Sequence, residues 1–197
     1  MEIKTRKELR EILNYENKCR HLPEVKSALG WVKADLKYFI HPGSPRMYMY
    51  GLRCEEYWMR KKWAKLITAL LRSKRRKLSF RTGISLYPNV ADIGVTVNHG
   101  KCVVSKFAKI GRDCVILSDV TIGEAGGSHG HGAPVIGQRV LISSGARIIG
   151  EIKIADGVVV GANAVVTKDI LEPNITVGGI PAKKIGEPHP FDEFIKR

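Results

Sequence analysis

Aliphatic residues recur at every sixth position through the second half of the chain. With one interruption, the recurring residues are Ile110, Ile116, Ile122, Ile136, Ile142, Ile148, Ile154, Val160 and Val166. A second set of small or aliphatic residues lies four positions after each of them, and a small or turn-forming residue often follows directly. Apolar residues on one face of a helix recur at intervals of three and four residues, so a period of six residues excludes a helix.

A six-residue unit can form one short strand and one turn, so three units complete one coil of a triangular prism. The recurring side chain then points inward and stacks on its equivalents in neighbouring coils. The spacing therefore predicts a parallel β-helix. The alternative is a β-rich domain with chance spacing, and nine positions on one lattice argue against it.

This region, from about Ile84 to Gly186, resembles a known family, the hexapeptide-repeat acyltransferases, and within it the serine acetyltransferase-like branch. Besides the repeats, the resemblance rests on the Asn98-His99 dipeptide, the insertion after 120–123 and the closing motif at 178–183. It implies a mainly β fold, namely a left-handed parallel β-helix with an N-terminal α-helical segment. The handedness comes from the family and not from the period.

We expect three segments along the chain. They are a basic α-helical segment at 1–82, a β-helix acyltransferase domain at 83–186 with an inserted loop at 124–134, and a polar C-terminal tail at 187–197. Apolar periodicity predicts helices at 2–19, from Glu24 to the break at 41–45, and from Arg46 to about Arg72. The loop is rich in glycine, which suits a segment that folds over a ligand.

The net charge of +14 is concentrated in the helical segment. Residues 1–82 contain 21 lysines and arginines against 8 acidic residues, whereas the rest of the chain contains 12 against 11. We interpret the segment as a cap on the open end of the prism that assists oligomer formation. The alternative is a basic, aromatic surface in peripheral contact with an anionic membrane. The charge comes with no nucleic-acid-binding motif, so we predict no nucleic-acid partner.

The sequence also indicates a compartment. Its start lacks the apolar core of a secretory signal, and no apolar run is long enough to span a bilayer. The cysteines of the chain are Cys19, Cys54, Cys102 and Cys114. Their spacing is typical neither of a zinc site nor of a redox pair. We therefore expect a cytoplasmic protein with free thiols, at the inner face of the membrane if the basic helices bind lipid.

His99 is the candidate catalytic residue. Transfer of an acyl group from a thioester to a hydroxyl requires a general base that titrates near neutral pH, which suits histidine. The resemblance places His99 at the position of the family's base. It also implies acetyl-coenzyme A as the donor, bound between neighbouring prisms of a homotrimer. The residues that match the family's cofactor contacts are Ser144, Ala162, Thr167, Lys168 and Lys183.

The acceptor side departs from the serine enzymes. They carry Asp-His in place of Asn98-His99, Arg-His-Pro in place of residues 132–134, and an orienting aspartate in place of Ser85. Because these charged groups are missing, we predict a neutral acceptor, a hydroxyl of a small-molecule or lipid-linked sugar in surface-polysaccharide biosynthesis. The predicted acceptor-binding residues are Asn98, His129, His131 and Ser85.

Two other functions stay open at this point. One is serine O-acetylation in cysteine biosynthesis, and the other is a non-catalytic β-helix scaffold, against which His99 and the glycine-rich loop argue. His129 and His131 could join His99 in a metal site. The reaction requires no metal, and we predict none.

Overall fold

The computed structural model describes residues 3–40, 43–126 and 132–187. The helices are α1 (Arg6–Cys19), α2 (Ala28–Ile40), α3 (Pro45–Trp58), a short 3-10 helix (Lys62–Ala64) and α4 (Lys65–Thr82). The strands are β1 (Ile84–Ser85), β2 (Thr96–Val97), β3 (Cys102–Val104), β4 (Lys109–Ile110), β5 (Val115–Ile116), β6 (Val120–Gly123), β7 (Val135–Ile136), β8 (Leu141–Ile142), β9 (Arg147–Ile149), β10 (Lys153–Ile154), β11 (Val159–Val160), β12 (Val165–Val166), β13 (Thr176–Gly178) and β14 (Lys183–Gly186).

The strands form the three faces of a prism. The first face contains β1, β3, β6, β9 and β12, the second contains β4, β7 and β10, and the third contains β2, β5, β8, β11, β13 and β14. From β3 to β11 the chain visits the first, second and third face in turn, and isolated bridges at Ala91 and Ile170 continue the second face at its two ends. The strand pairs are parallel except for β13 with β14. This architecture confirms the predicted parallel β-helix.

The recurring aliphatic residues form the core of the prism. All nine are at most 3% exposed. They stack in register as three columns, which are Ile122–Ile148–Val166, Ile110–Ile136–Ile154 and Ile116–Ile142–Val160. Each coil thus buries the apolar face of the next at the interstrand spacing of about 4.8 Å.

Local signals fix the ends of the helices. Thr5 and Glu8 form a capping box at the start of α1, where each side chain accepts a backbone N–H of the other. Ser44 accepts the N–H of Met47 at the start of α3. Gly83, at φ 70°, ends α4 in the left-handed conformation that glycine adopts easily.

Helix α3 closes the open end of the prism. The first coil has no preceding coil to satisfy its backbone, and polar side chains of α3 take that place. The Tyr48 hydroxyl donates to the Leu86 carbonyl at 2.7 Å and accepts its N–H at 3.0 Å. The Arg53 guanidinium donates to the carbonyls of Ala91 and Asp92 at 2.9 and 2.6 Å. The helical segment is therefore bonded to the β-helix through its most buried polar groups.

Arg53 is fully buried within an ion-pair network. Its Nε donates to Glu16 at 2.8 Å and its Nη1 to Glu56 at 3.0 Å, and both glutamate side chains are at most 3% exposed. Glu56 in turn accepts the Asn89 N–H of the first coil at 2.7 Å. The two carboxylates raise the pKa of Arg53 and outweigh the desolvation that burial imposes.

The predicted third helix differs from the observed one. The chain breaks after Trp58 and resumes as α4, and the rings of Trp58 and Trp63 pack edge to face across the break with centroids 5.6 Å apart. Helix α4 then continues through the basic run to Thr82, because Leu71, Arg75 and Leu78 form one buried stripe at helical spacing. The expected end near residue 72 was therefore wrong.

Helix α2 also differs from its apolar pattern. It begins at Ala28, and its buried side chains are Trp31 and Tyr38. The apolar residues that recur at intervals of three and four positions are exposed instead, by 49 to 64%. These are Leu29, Val32, Leu36 and Phe39. None of the described helices combines the length and hydropathy of a membrane span. Contact of the basic helices with a membrane surface stays a prediction.

Candidate active site

His99 lies on the edge of the prism where the chain passes from the third face to the first, here called the His99 corner. Its neighbours along this edge follow from the strand register, because Val97 pairs with Ile116, which pairs with Ile142, which pairs with Val160. Two residues beyond each of these come His99, Ser118, Ser144 and Ala162. The structure thus places the candidate base in one column with two predicted cofactor residues, Ser144 two coils away and Ala162 three coils away.

The turn that carries His99 contains one more residue than the equivalent turn of the next coil, which carries Ser118. Val97 and Cys102 pair with Ile116 and Val120, so an extra residue must be accommodated between them. The chain absorbs it with three successive positive φ values, 66° at His99, 72° at Gly100 and 52° at Lys101. Such conformations cost energy in residues other than glycine, and surrounding structure must hold them in place.

The end of α4 holds this turn. The Thr82 carbonyl accepts the Lys101 N–H at 2.8 Å, and the Gly83 carbonyl accepts the Cys102 N–H at 3.1 Å. A Cβ atom at Gly100 would lie 2.4 Å from the Thr82 oxygen, so only glycine fits there. The helical segment therefore positions the candidate base through backbone contacts.

The His99 side chain is exposed and Asn98 is half-buried. In the part of the chain that the structure describes, no hydrogen bond fixes the imidazole of His99. The candidate base is thus accessible from outside the prism.

Small polar residues continue the corner below His99. Ser118 Oγ and Ser144 Oγ lie 3.2 Å apart within hydrogen-bonding distance, and Ala162 is exposed. Lys183 begins β14 opposite Gly178, just past the same column, and is exposed. The predicted cofactor residues Ser144, Ala162 and Lys183 therefore share this edge. Sequence reasoning missed Ser118, although it follows its anchor Ile116 by two residues as Ser144 follows Ile142.

The other predicted residues lie away from this column. Thr167 and Lys168 follow β12 at the far edge of the first face, and both are exposed. Ser85 lies on the outer side of the first face in β1 and pairs with Val103. The structure thus separates Thr167, Lys168 and Ser85 from the His99 corner by part of the first face.

Strand β6 ends at the same far edge, and the described residues of the glycine-rich loop are 124–126 and 132–134, directly before β7. At its start Glu124 accepts a hydrogen bond from Ser105 Oγ at 2.6 Å. His129 and His131, predicted to bind the acceptor, lie outside the described residues. The described ranges contain no group of three or more potential metal ligands.

A charged pair flanks the His99 corner. Arg147 Nη2 lies 3.0 Å from Asp119 Oδ2, and Arg147 also donates to the Asp119 carbonyl. Asp119 directly follows Ser118 in the turn below His99, and Arg147 is on the outer side of β9. Their side chains are 68% and 37% exposed. The corner therefore carries both an acidic and a basic group, contributed by coils other than that of His99.

Comparison with known proteins agrees with this architecture. The family model for the bacterial transferase hexapeptide, six repeats, matches residues 133–168. Serine acetyltransferase from Mycobacterium tuberculosis is 32% identical over 154 residues, which cover 77% of this chain and 64% of that protein. Serine acetyltransferase from Helicobacter pylori strain 26695 is 37% identical over 101 residues, covering 50% of this chain and 59% of that protein. The chain thus spans about three fifths of the length of these curated relatives.

The chain carries hexapeptide repeats and is similar to serine acetyltransferases in both sequence and fold. Among solved structures, serine acetyltransferase from Brucella abortus strain S19 in complex with coenzyme A superimposes with a TM-score of 0.63 at 26% identity. The match covers 93% of this chain and 70% of that one, so it includes the helical segment as well as the prism. The predicted fold, a left-handed parallel β-helix preceded by helices, is confirmed.

The prediction of a sugar acceptor in surface-polysaccharide biosynthesis was wrong. The curated relatives compared above are named serine acetyltransferases, which favours the alternative acceptor, L-serine. The prediction rested on the lack of charged residues at Ser85, Asn98 and 132–134, the positions that align with the family motifs. The structure shows that neighbouring coils bring other charged groups, Asp119 and Arg147, to the same corner.

Proposed function

We propose that this protein transfers an acetyl group from acetyl-coenzyme A to the hydroxyl of L-serine. The observation that carries the proposal is the column of His99, Ser144 and Ala162 on one edge of the prism. It occurs in a chain that is 32% identical to a serine acetyltransferase over 154 residues. A scaffold without activity would have no use for a histidine held in a strained, exposed turn at this edge.

In the proposed reaction His99 acts as the general base. Its neutral imidazole accepts the serine hydroxyl proton while the serine oxygen attacks the thioester carbonyl, giving a tetrahedral oxyanion. When the carbonyl re-forms, the carbon–sulfur bond breaks and the coenzyme A thiolate leaves. The thiolate then takes the proton from the imidazolium, which restores neutral His99. The products are O-acetylserine and free coenzyme A.

The donor would occupy the His99 corner and the adjoining first face. The small side chains of Ser144 and Ala162 leave room for the pantetheine chain beside the backbone. Lys183 and Lys168 are exposed and can each supply positive charge to a phosphate. The residues present therefore suit the phosphate-bearing donor that the family uses.

Asp119 and Arg147 would recognise the ends of the amino acid. A carboxylate pairs with the serine ammonium group and a guanidinium with the serine carboxylate, each through charge-assisted hydrogen bonds. Asp119 lies in the turn one coil from His99 and Arg147 lies one coil further, with about 4.8 Å between successive coils. These groups support an amino-acid acceptor despite Asn98.

Release of free coenzyme A from acetyl-coenzyme A tests the proposal, with L-serine and a panel of sugars offered in parallel. We expect turnover with L-serine alone. Asp119→Asn should raise the KM for serine about tenfold with little change in kcat, because one charged hydrogen bond is lost from bound serine.

The matched control is Glu172→Gln, which removes the carboxylate of the exposed Lys184–Glu172 pair at 2.7 Å, outside the His99 corner. It should leave both kinetic constants unchanged. Turnover with a sugar but not with serine would refute the proposed acceptor. An unchanged serine KM in Asp119→Asn would remove Asp119 from the acceptor site.

We further propose that the protein is a homotrimer. His99 and Ala162 are exposed at a prism edge, so one chain supplies only one wall of a groove, and a neighbouring prism would supply the other. Light scattering of the eluting protein should give about 66 kDa, three times the chain mass of 21.9 kDa. The mass of a monomer or dimer would refute the proposed trimer.

A further inference from the structure

We propose that the cleft between α4 and the first coil binds an anionic small molecule, at a site separate from the His99 corner. This junction cleft has a volume of about 450 Å³. Its charged lining comprises Arg72, Arg75, Arg76, Lys106 and Glu55. Neither the proposed acetyl transfer nor the comparisons assign it a role.

The cleft has an excess of positive charge that its own acid does not neutralise. Glu55 is buried, and its two oxygens are already engaged, Oε1 by Arg72 Nε at 2.9 Å and Oε2 by Arg75 Nε at 2.6 Å. The cleft thus contains four cationic side chains and one carboxylate, that of Glu55, whose oxygens already accept hydrogen bonds from two of them. Cations in a cleft with protein walls focus the potential and attract anions.

Several hydrogen-bond donors in the cleft are also unused. Among the described residues Arg72 donates only through Nε, and its side chain is 46% exposed, so the outer N–H groups of its guanidinium are accessible. Within the described ranges, Arg76 and Lys106 form no ion pair, and the Ser85 hydroxyl has no hydrogen-bond partner. Planar guanidinium forks with unused N–H groups match the oxygens of phosphate or carboxylate.

Internal hydrogen bonds hold the donors of the cleft wall in place. Arg75 Nη1 donates to the Tyr48 hydroxyl at 2.9 Å and to the Leu86 carbonyl at 3.1 Å, in addition to the Glu55 contact. Ser79 Oγ donates to the Ile84 carbonyl at 2.6 Å. A site whose donors are held in advance loses less entropy when it binds.

The size and lining of the cleft define the ligand class. The volume lies within the range of about 300–1,000 Å³ typical of small-molecule sites, and it exceeds what inorganic phosphate alone would fill. Apolar groups of Met59, Leu86 and Pro88 complete the lining. We therefore assign the cleft to a small organic phosphate or carboxylate whose apolar part contacts these residues.

Calorimetric titration of the full chain tests this assignment, with inorganic phosphate and succinate as separate probes at constant ionic strength. We expect saturable binding of at least one probe, and the probe that binds distinguishes phosphate from carboxylate as the ligand's anionic group. Arg76→Gln and Lys106→Gln should each weaken binding about tenfold or more, because each removes a charged donor. Both side chains are exposed, so the fold should be retained.

Two variants distinguish the junction cleft from the remaining basic surface of the chain. Lys77→Gln removes the same charge from the next position of α4 without touching the cleft, and it should leave the affinity unchanged. Lys183→Gln removes a cation at the proposed donor site and should also have no effect. Equal weakening by Lys77→Gln, loss of binding in Lys183→Gln alone, or no saturable binding of either probe would overturn the assignment.

Discussion

Replacing His99 by alanine is expected to lower the rate of serine acetylation by at least about a hundredfold, the usual contribution of a general base. His99→Asn should have the same effect with less disturbance, because asparagine tolerates the positive φ of 66° at this position better than alanine does. The loss should appear in kcat, since the proposed proton transfer occurs only in the transition state. Release of coenzyme A in the presence of L-serine measures it.

His21→Ala provides the control for this prediction. His21 also has a positive φ, 52°, but lies in the turn between α1 and α2, away from the prism edge. This variant should keep the wild-type rate. Serine turnover that survives in both His99→Ala and His99→Asn would exclude His99 as the base.

Arg53→Ala is expected to destabilise the protein by about 3–5 kcal/mol, the usual cost of removing one partner from a buried ion pair. The substitution leaves Glu16 and Glu56 buried without their cation, and leaves the Ala91 and Asp92 carbonyls without donors. Chemical denaturation of the full chain measures the free energy of unfolding.

The comparison variant is Lys7→Ala in α1. Lys7 also pairs with a glutamate, Glu11, but its side chain is 87% exposed and the distance is 4.0 Å. Its removal should change the free energy of unfolding by less than about 0.5 kcal/mol. A loss of similar size in both variants would contradict the role assigned to the buried network.

The β-helix was predictable because the same six-residue pattern repeats along the sequence. Each coil places an isoleucine or valine at the same position, so Ile142 and Ile148 carry the same information as Ile116 and Ile122. Register between coils is harder to read from sequence. The insertion at 124–134 and the extra residue in the His99 turn shift the spacing, and Asp119 and Arg147 were therefore not associated with His99.

The helical segment was less predictable for a different reason. Sequence patterns assign arginine to solvent, yet Arg53 and Arg75 are buried as hydrogen-bond donors to the first coil. Their environment depends on carbonyl groups that come more than ten residues later in the chain. Conversely, the apolar residues of α2 that suggested a buried stripe, such as Leu36, are exposed.

Covered ends keep the prism of one chain from extending into another. A stack of parallel coils offers the same unsatisfied backbone at each end, which could otherwise recruit further strands from another molecule. Tyr48, Arg53 and Glu56 occupy that backbone at one end, and the antiparallel strand β14 covers the third face at the other. Proteolytic removal of the helices would therefore do more than shorten the chain, since it would convert a stack of fixed length into one able to grow by end-to-end addition.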